Sequence, residues 1–274
     1  MSNIINRNLF RLLRIGAFHT TETLEPMSAF KWQRLIQIAE KQDVVPYIRQ
    51  AAPQAPQLFT SALPSGEGRV QVGGGLPSVD DYVAAIAEAD PELSNILLKW
   101  KMKRMRKHEE QNQESTPETW QLLQLLIDNV NQTLTQGISL RGIIELGRFL
   151  RQKGQNVDFL QVENWLHRLD MMRMAALQGS ILVNLFNFDD DELPFMHQQE
   201  KAALKLVERS LSHTAADTAE NWHFRMRTNG MVQNNSKVLR RNLRRSFKFM
   251  RFNPVETTSN FMANFAKTLA EIEE

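Results

Sequence analysis

The amino-acid sequence predicts an all-α protein: a bundle-like array of several helices with one long Pro/Gly-rich loop and no substantial sheet. Apolar residues recur at intervals of three and four along most of the chain, which is the spacing of one helix face. The 12 glycines and 10 prolines cluster instead of interrupting the chain at regular intervals. Outside that cluster, no run of residues alternates between apolar and polar as a half-buried strand does.

Three helical segments are predicted before residue 52. The first is an apolar stripe over 9–15, which Gly16 closes. The second covers 30–39 and follows a start signal of Pro, Met and Ser. The third is a helical turn over 43–50, because Pro46 within it disfavours a strand.

Residues 52–77 are predicted to be a flexible linker, because prolines and glycines are frequent there and no apolar face recurs. It separates an N-terminal helical segment, 1–51, from a main helical domain, 78–274. The two helical parts form either two lobes or one packed domain. The three glycines at 73–75 lack the Gly-Lys-Ser/Thr ending of a phosphate-binding loop, so we interpret them as part of the connector.

The main domain begins with a helix start at Ser78, and a second start is predicted at 115–118, where a proline lies just inside the helix. Pro91 predicts a break between them. After it the apolar stripe continues through Leu93, Ile96, Leu97 and Trp100. The later helices are expected over 138–150, 157–186, 192–212, 214–229, a basic segment ending near Pro254, and 256–272.

The composition excludes several kinds of site. The chain has no cysteine, and this excludes disulfides, thiolate zinc sites, iron–sulfur clusters and a cysteine nucleophile. No apolar run reaches the length of about 18 residues that a membrane span requires. The N-terminal 16 residues contain three arginines and no small-residue cleavage site, so a secretory signal is not expected. We therefore expect a cytoplasmic protein without a transmembrane segment.

A weak candidate for a metal site is the acidic stretch around Asp189 and Asp191. An Asp-x-Asp pair can hold Mg²⁺ in nucleotide transfer. We favour the simpler interpretation that this stretch is a turn whose aspartates cap the next helix. No His-x-x-x-His or His-Glu-x-x-His pattern occurs among the six histidines, so the sequence predicts no zinc site.

Two basic stretches are candidates for binding anions. The first, 99–107, has six positive charges in nine residues, and Glu109, Glu110 and Glu114 are expected to neutralise it in part. The second has no acidic residue, and its cations recur every three or four positions on one helix face: Arg240, Arg241, Arg244, Arg245, Lys248 and Arg251.

The second stretch has three possible roles. It is a solvated face, a nucleic-acid site, or a surface for a membrane or a protein partner. The net charge of the whole chain is only +2, so we favour the solvated face.

Several segments resemble the helical parts of a bacterial family of uncharacterised nucleotidyltransferases, and Bacteroides-type members are the most similar. These segments are 10–18, 32–35, 38–45, 137–142, 165–169, 193–194 and 239–256. Members of that family are expected to carry a Gly-Asp-x-Asp motif that holds the catalytic metal. This chain has no such motif, so no catalytic residue is carried over. The resemblance implies a relative that kept the helices and lost the catalytic core.

We therefore expect a non-catalytic helical protein that acts by binding an unidentified partner protein, with no cofactor. Two alternatives stay open. One is a divergent Mg²⁺-dependent nucleotidyltransferase that uses Asp189 and Asp191. The other is nucleic-acid binding through the basic C-terminal helix. The sequence does not indicate an oligomeric state.

Overall fold

The computed structural model describes residues 3–51, 76, 78–91, 93–112, 115–212 and 247–273. Within these residues the fold is all-α and contains no strand, so the predicted fold class is confirmed. Short 3₁₀ turns cover Gly154–Asn156 and Asp190–Glu192, and residues 203–212 are helical. The other helices are α1 (Ile4–Phe18), α2 (Ala29–Lys41), α3 (Val45–Gln50), α4 (Val79–Ala89), α5 (Ile96–Asn112), α6 (Pro117–Thr135), α7 (Leu140–Lys153), α8 (Phe159–Arg168), α9 (Met172–Phe186) and α10 (Pro254–Glu273).

Helix α6 lies at the centre of the array, in contact with α4, α7, α8, α9 and α10, while α1 contacts α2, α3, α7 and α9. The apolar stripes of these helices meet in one continuous core, where Leu9, Leu122, Ile144 and Leu182 are each 0% exposed. Full burial of one such side chain stabilises the fold by about 1.5–3 kcal/mol. Of the predicted linker at 52–77 only Leu76 is described, and it packs against this core.

Both predicted start signals in the main domain are confirmed. The Ser78 hydroxyl accepts a hydrogen bond of 3.1 Å from the Asp80 amide, which caps α4. Helix α6 begins at Pro117, where the missing N–H of proline costs nothing because first-turn amides have no partner within the helix.

The single helix predicted over 157–186 is wrong, because the structure contains two helices there. Helix α8 ends at Arg168, and α9 begins only at Met172. Between them Asp170 adopts a left-handed backbone conformation with φ of 55°, which interrupts the helical chain. Asp tolerates this region better than most residues, so the break needs no glycine or proline and leaves little trace in the sequence.

The helix predicted over 192–212 begins later than expected. A 3₁₀ turn over Asp190–Glu192 is followed by non-helical chain, and regular helix begins at residue 203. Pro194 explains the delay in part, since proline removes a helical hydrogen bond. The helix predicted over 214–229 lies outside the described residues.

The N-terminal arginines pair with acids in the connection between α1 and α2. Arg7 binds the Glu25 carboxylate through two nitrogens, at 2.8 and 2.6 Å. Arg14 binds Glu22 in the same way, and its third nitrogen donates to the Leu185 carbonyl oxygen at 2.7 Å. An ion pair with two parallel hydrogen bonds fixes the relative orientation of the guanidinium and the carboxylate. The connection is therefore held against α1, and Arg14 also joins α1 to α9.

No helix among the described residues is both long enough and apolar enough to cross a membrane.

Candidate functional site

The acidic turn at 189–192 serves as a helix cap. The Asp189 carboxylate accepts from the Glu192 amide, and the Glu192 carboxylate accepts from the Asp189 amide at 3.0 Å. The predicted turn with a capping aspartate is present, but Asp189 caps the 3₁₀ turn over Asp190–Glu192 and not the next α-helix, which begins at residue 203. Within the described part of the chain no three His, Asp or Glu side chains are grouped so that they could hold a metal ion.

The basic C-terminal stretch is only partly described. Arg240, Arg241, Arg244 and Arg245 lie outside the described residues, whereas Lys248 and Arg251 lie within them. The sequence predicts a continuous basic segment here, but residues 250–252 form a turn before α10 begins.

The phenylalanines of this stretch differ in exposure. Phe249 and Phe252 are buried, whereas Phe247 is 63% exposed. The Arg251 guanidinium lies 4.5 Å from the centre of the Phe252 ring. Arg251 is therefore positioned by an aromatic contact at the protein surface.

Helix α5 is anchored at its start by a buried carboxylate of α10. Glu256 is 0% exposed and accepts hydrogen bonds from the Ser94 and Asn95 amides at 2.5 and 3.0 Å. The Asn95 side chain in turn accepts from the Leu97 and Leu98 amides at 3.0 and 3.1 Å. Together these bonds satisfy amides just before α5 and in its first turn, and so fix where the helix begins.

The start of α5 determines which of its side chains face the core. Leu98, Met102 and Met105 are buried, and their spacing of four and three places them on one side of the helix. Ile96 is 82% and Leu97 71% exposed. The predicted apolar stripe is therefore wrong for these two residues and for Trp100, which is 60% exposed; only Leu93 is buried.

The acidic residues that follow the basic stretch of α5 have different partners. Glu109 accepts from the Ser115 amide at 2.7 Å and so caps the chain before α6. Glu110 pairs with Arg106, which also binds Asp90. Glu114 lies outside the described residues.

Two cations lie on the same side of α5 as the exposed apolar residues, one and two turns after Trp100. Among the residues that the structure describes, neither Arg104 nor Lys107 has an acidic partner. The Arg104 guanidinium lies 5.6 Å from the centre of the Trp100 ring. We name the five residues the Trp100 surface: Ile96, Leu97, Trp100, Arg104 and Lys107.

A second polar cluster lies in the core between α3 and α7. The Tyr47 hydroxyl donates to the Glu145 carboxylate, which also pairs with Arg148 at 3.0 Å. Tyr47 is 1%, Glu145 0% and Arg148 8% exposed, so the cluster has little access to solvent. Burial raises the pKa of Glu145, and the hydrogen bond from Tyr47 and the charge of Arg148 oppose that rise. We interpret the cluster as part of the packing between helices.

The titration of tyrosine provides a direct test of this packing. The chain has only 2 tyrosines. Burial, and secondarily the Glu145 charge, raises the pKa of Tyr47; burial and the Asp128 charge raise the pKa of Tyr82 to about 12. We expect almost no tyrosinate absorbance from the folded protein at about pH 10.5, whereas a tyrosine in an unfolded chain has a pKa of about 10.

The same shifts predict a loss of stability in alkali. The pKa of each tyrosine is higher in the folded protein than in the unfolded chain, so protonated tyrosine favours the folded state. This stabilisation is complete below about pH 10 and falls as the pH rises towards 12. For each tyrosine, the free energy of unfolding falls by up to about 1.4 kcal/mol per pH unit. Tyr82→Phe should leave the titration of Tyr47 unchanged. Tyrosinate absorbance at pH 10 with native circular dichroism would contradict the buried positions.

The fold and the site define an all-α protein with an exposed apolar and basic helix surface. The chain matches no protein-family model, no curated protein and no solved structure. The resemblance to nucleotidyltransferases therefore stays a prediction.

Proposed function

We propose that this protein acts without catalysis, by binding an acidic partner protein at the Trp100 surface. One observation carries the proposal: three large apolar side chains are exposed on the first turns of α5, beside cations that have no acidic partner among the described residues. Apolar residues clustered on a surface in this way mark interaction sites more often than single exposed ones do.

The residue types favour a protein partner. Trp and Arg are the residues that most often carry the binding energy of protein interfaces, and here Trp100 and Arg104 lie against each other. Ile96 and Leu97 expose aliphatic side chains, which make few favourable contacts with the phosphates and polar base edges of nucleic acid. The cations at the edge of the surface favour an acidic partner, because complementary charge speeds association and excludes wrong partners.

The resemblance to the helical parts of nucleotidyltransferases supports a role without catalysis, since the Gly-Asp-x-Asp motif of that family is missing. The alternative of an Mg²⁺-dependent transferase finds no support in the described donors, because Asp189 is used as a cap. Four of the six cations in the nucleic-acid alternative lie outside the described residues.

The proposal predicts that Trp100→Ala abolishes partner binding. The full chain would serve as bait in cells of its source, and the Kd of the captured protein would then be measured with purified components. We expect Trp100→Ala to weaken binding by about 30-fold or more, the effect of losing about 2 kcal/mol at an interface hot spot. Arg104→Glu with Lys107→Glu should slow association, and more so at low salt.

Phe30→Ser is the matched control. Phe30 is 75% exposed but lies on α2, so its replacement should leave the Kd unchanged. Equal affinity of the wild type and Trp100→Ala would contradict the proposal. Capture that disappears after nuclease treatment would replace it with a nucleic-acid partner. Cosedimentation with anionic lipid vesicles that depends on Trp100 would replace it with a membrane surface.

A further inference from the structure

A groove separate from the Trp100 surface lies between the start of α9, residues 195–202 and the turn before α10. Its volume is about 750 Å³, which lies within the range of small-molecule sites. Apolar side chains form one part of its wall: Met172, Ala176, Phe195 and Ala202. Polar side chains form another part: His167, Arg173, His197, Lys201 and Arg251.

The charges in the groove are unequal. Glu200 is its acidic lining residue, and it is bound by Arg173 at 3.0 and 2.9 Å. Lys201 and Arg251 have no acidic partner within the described parts of the chain. Two positive charges are thus left beside an apolar wall.

Arg251 is held in place before any ligand arrives. Arg173 donates a hydrogen bond to the Arg251 carbonyl oxygen, and the Arg251 guanidinium packs on the buried ring of Phe252. His197 is held through its ring nitrogen, which lies 2.7 Å from the Glu163 carboxylate. A cation positioned in advance loses less conformational entropy when it binds an anion.

We propose that this groove binds a small organic phosphate. The phosphate lies between Lys201 and Arg251, and the apolar body lies on the wall formed by the half-buried side chains of Met172, Ala176 and Ala202. A dianion matches the two cations without partners, and guanidinium–phosphate pairs are among the stronger charge-assisted hydrogen bonds. The apolar wall distinguishes an organic phosphate from the inorganic ion.

Phenyl phosphate is the first probe, measured by titration calorimetry and by the shift of the melting temperature of the full chain. We expect it to bind more tightly than inorganic phosphate and than phenol. Inorganic phosphate lacks the apolar ring, and phenol lacks the phosphate. The double variant Lys201→Gln/Arg251→Gln should lose at least about tenfold in affinity, the cost of removing charge-assisted bonds.

Lys205→Gln is the matched control, since Lys205 is an exposed lysine four residues after Lys201, within the helix over residues 203–212, and does not line the groove. It should bind phenyl phosphate as the wild type does. The single variant Lys201→Gln replaces an exposed side chain, so its affinity remains measurable if the double variant does not fold. No binding by the wild type would overturn the proposal. Equal losses in Lys205→Gln and Lys201→Gln, or equal affinities for phosphate and phenyl phosphate, would also overturn it.

Discussion

Replacing Gly16 with alanine is expected to destabilise this protein severely. A Cβ atom at position 16 would lie 1.8 Å from the Tyr47 carbonyl oxygen, where α1 crosses α3. The obstacle is backbone, so no side-chain rotation can relieve the contact and the two helices must separate. We expect a loss of about 3 kcal/mol or more in the free energy of unfolding, measured by urea denaturation.

Gly154→Ala is the control for Gly16→Ala. Gly154 has right-handed helical backbone angles, and the nearest atom to an added Cβ, in the Phe159 ring, is 3.9 Å away. Alanine there reduces the freedom of the unfolded chain without strain, so we expect a gain of about 0.4–1 kcal/mol. A Gly16→Ala variant as stable as the wild type would show that α1 and α3 do not pack at this distance.

Glu145→Ala is expected to have a comparably large effect. It would leave the Arg148 guanidinium, which is 8% exposed, without its buried carboxylate, and would also remove the acceptor of the Tyr47 hydroxyl. Removing one member of a buried ion pair typically costs about 3–5 kcal/mol. Denaturation by urea at neutral pH measures the difference.

A double variant separates the charge effect from simple loss of packing. In Glu145→Leu/Arg148→Met both charges are replaced by apolar groups, and buried pairs exchanged in this way often lose little stability. We expect it to be more stable than Glu145→Ala.

An exposed ion pair provides the control. Glu110→Ala, which breaks an exposed pair with Arg106, should change stability by no more than about 0.5 kcal/mol. Equal losses of stability in Glu145→Ala and in Glu145→Leu/Arg148→Met would argue against an effect of the unpaired Arg148 charge.

The candidate surface on α5 could be predicted only in part. The charge run over 99–107 is visible in the sequence, and so is Trp100 within it. The exposure of Ile96 and Leu97 is not, because it depends on where the helix begins. That position is set by the buried Glu256, more than 150 residues away in the chain, which accepts hydrogen bonds from the Ser94 and Asn95 amides.

The groove that we propose as a small-molecule site could not be predicted as a site, although the sequence indicates Arg251 as a candidate anion-binding residue. His167, Lys201 and Arg251 are separated by tens of residues and belong to no common motif. They meet because the helical chain is interrupted at Asp170 and is not helical over residues 193–202. Neither irregularity follows from the spacing of apolar residues, which indicates helices but not how they end.

The helical class, the start signals at Ser78 and Pro117 and the capping role of Asp189 were determined by the sequence alone, since each depends on neighbouring residues. Tertiary structure decided which face of α5 is exposed, which acids meet which cations, and which side chains line the groove. These features depend on contacts between residues far apart in the chain. Local periodicity does not encode such contacts, because it describes one helix at a time.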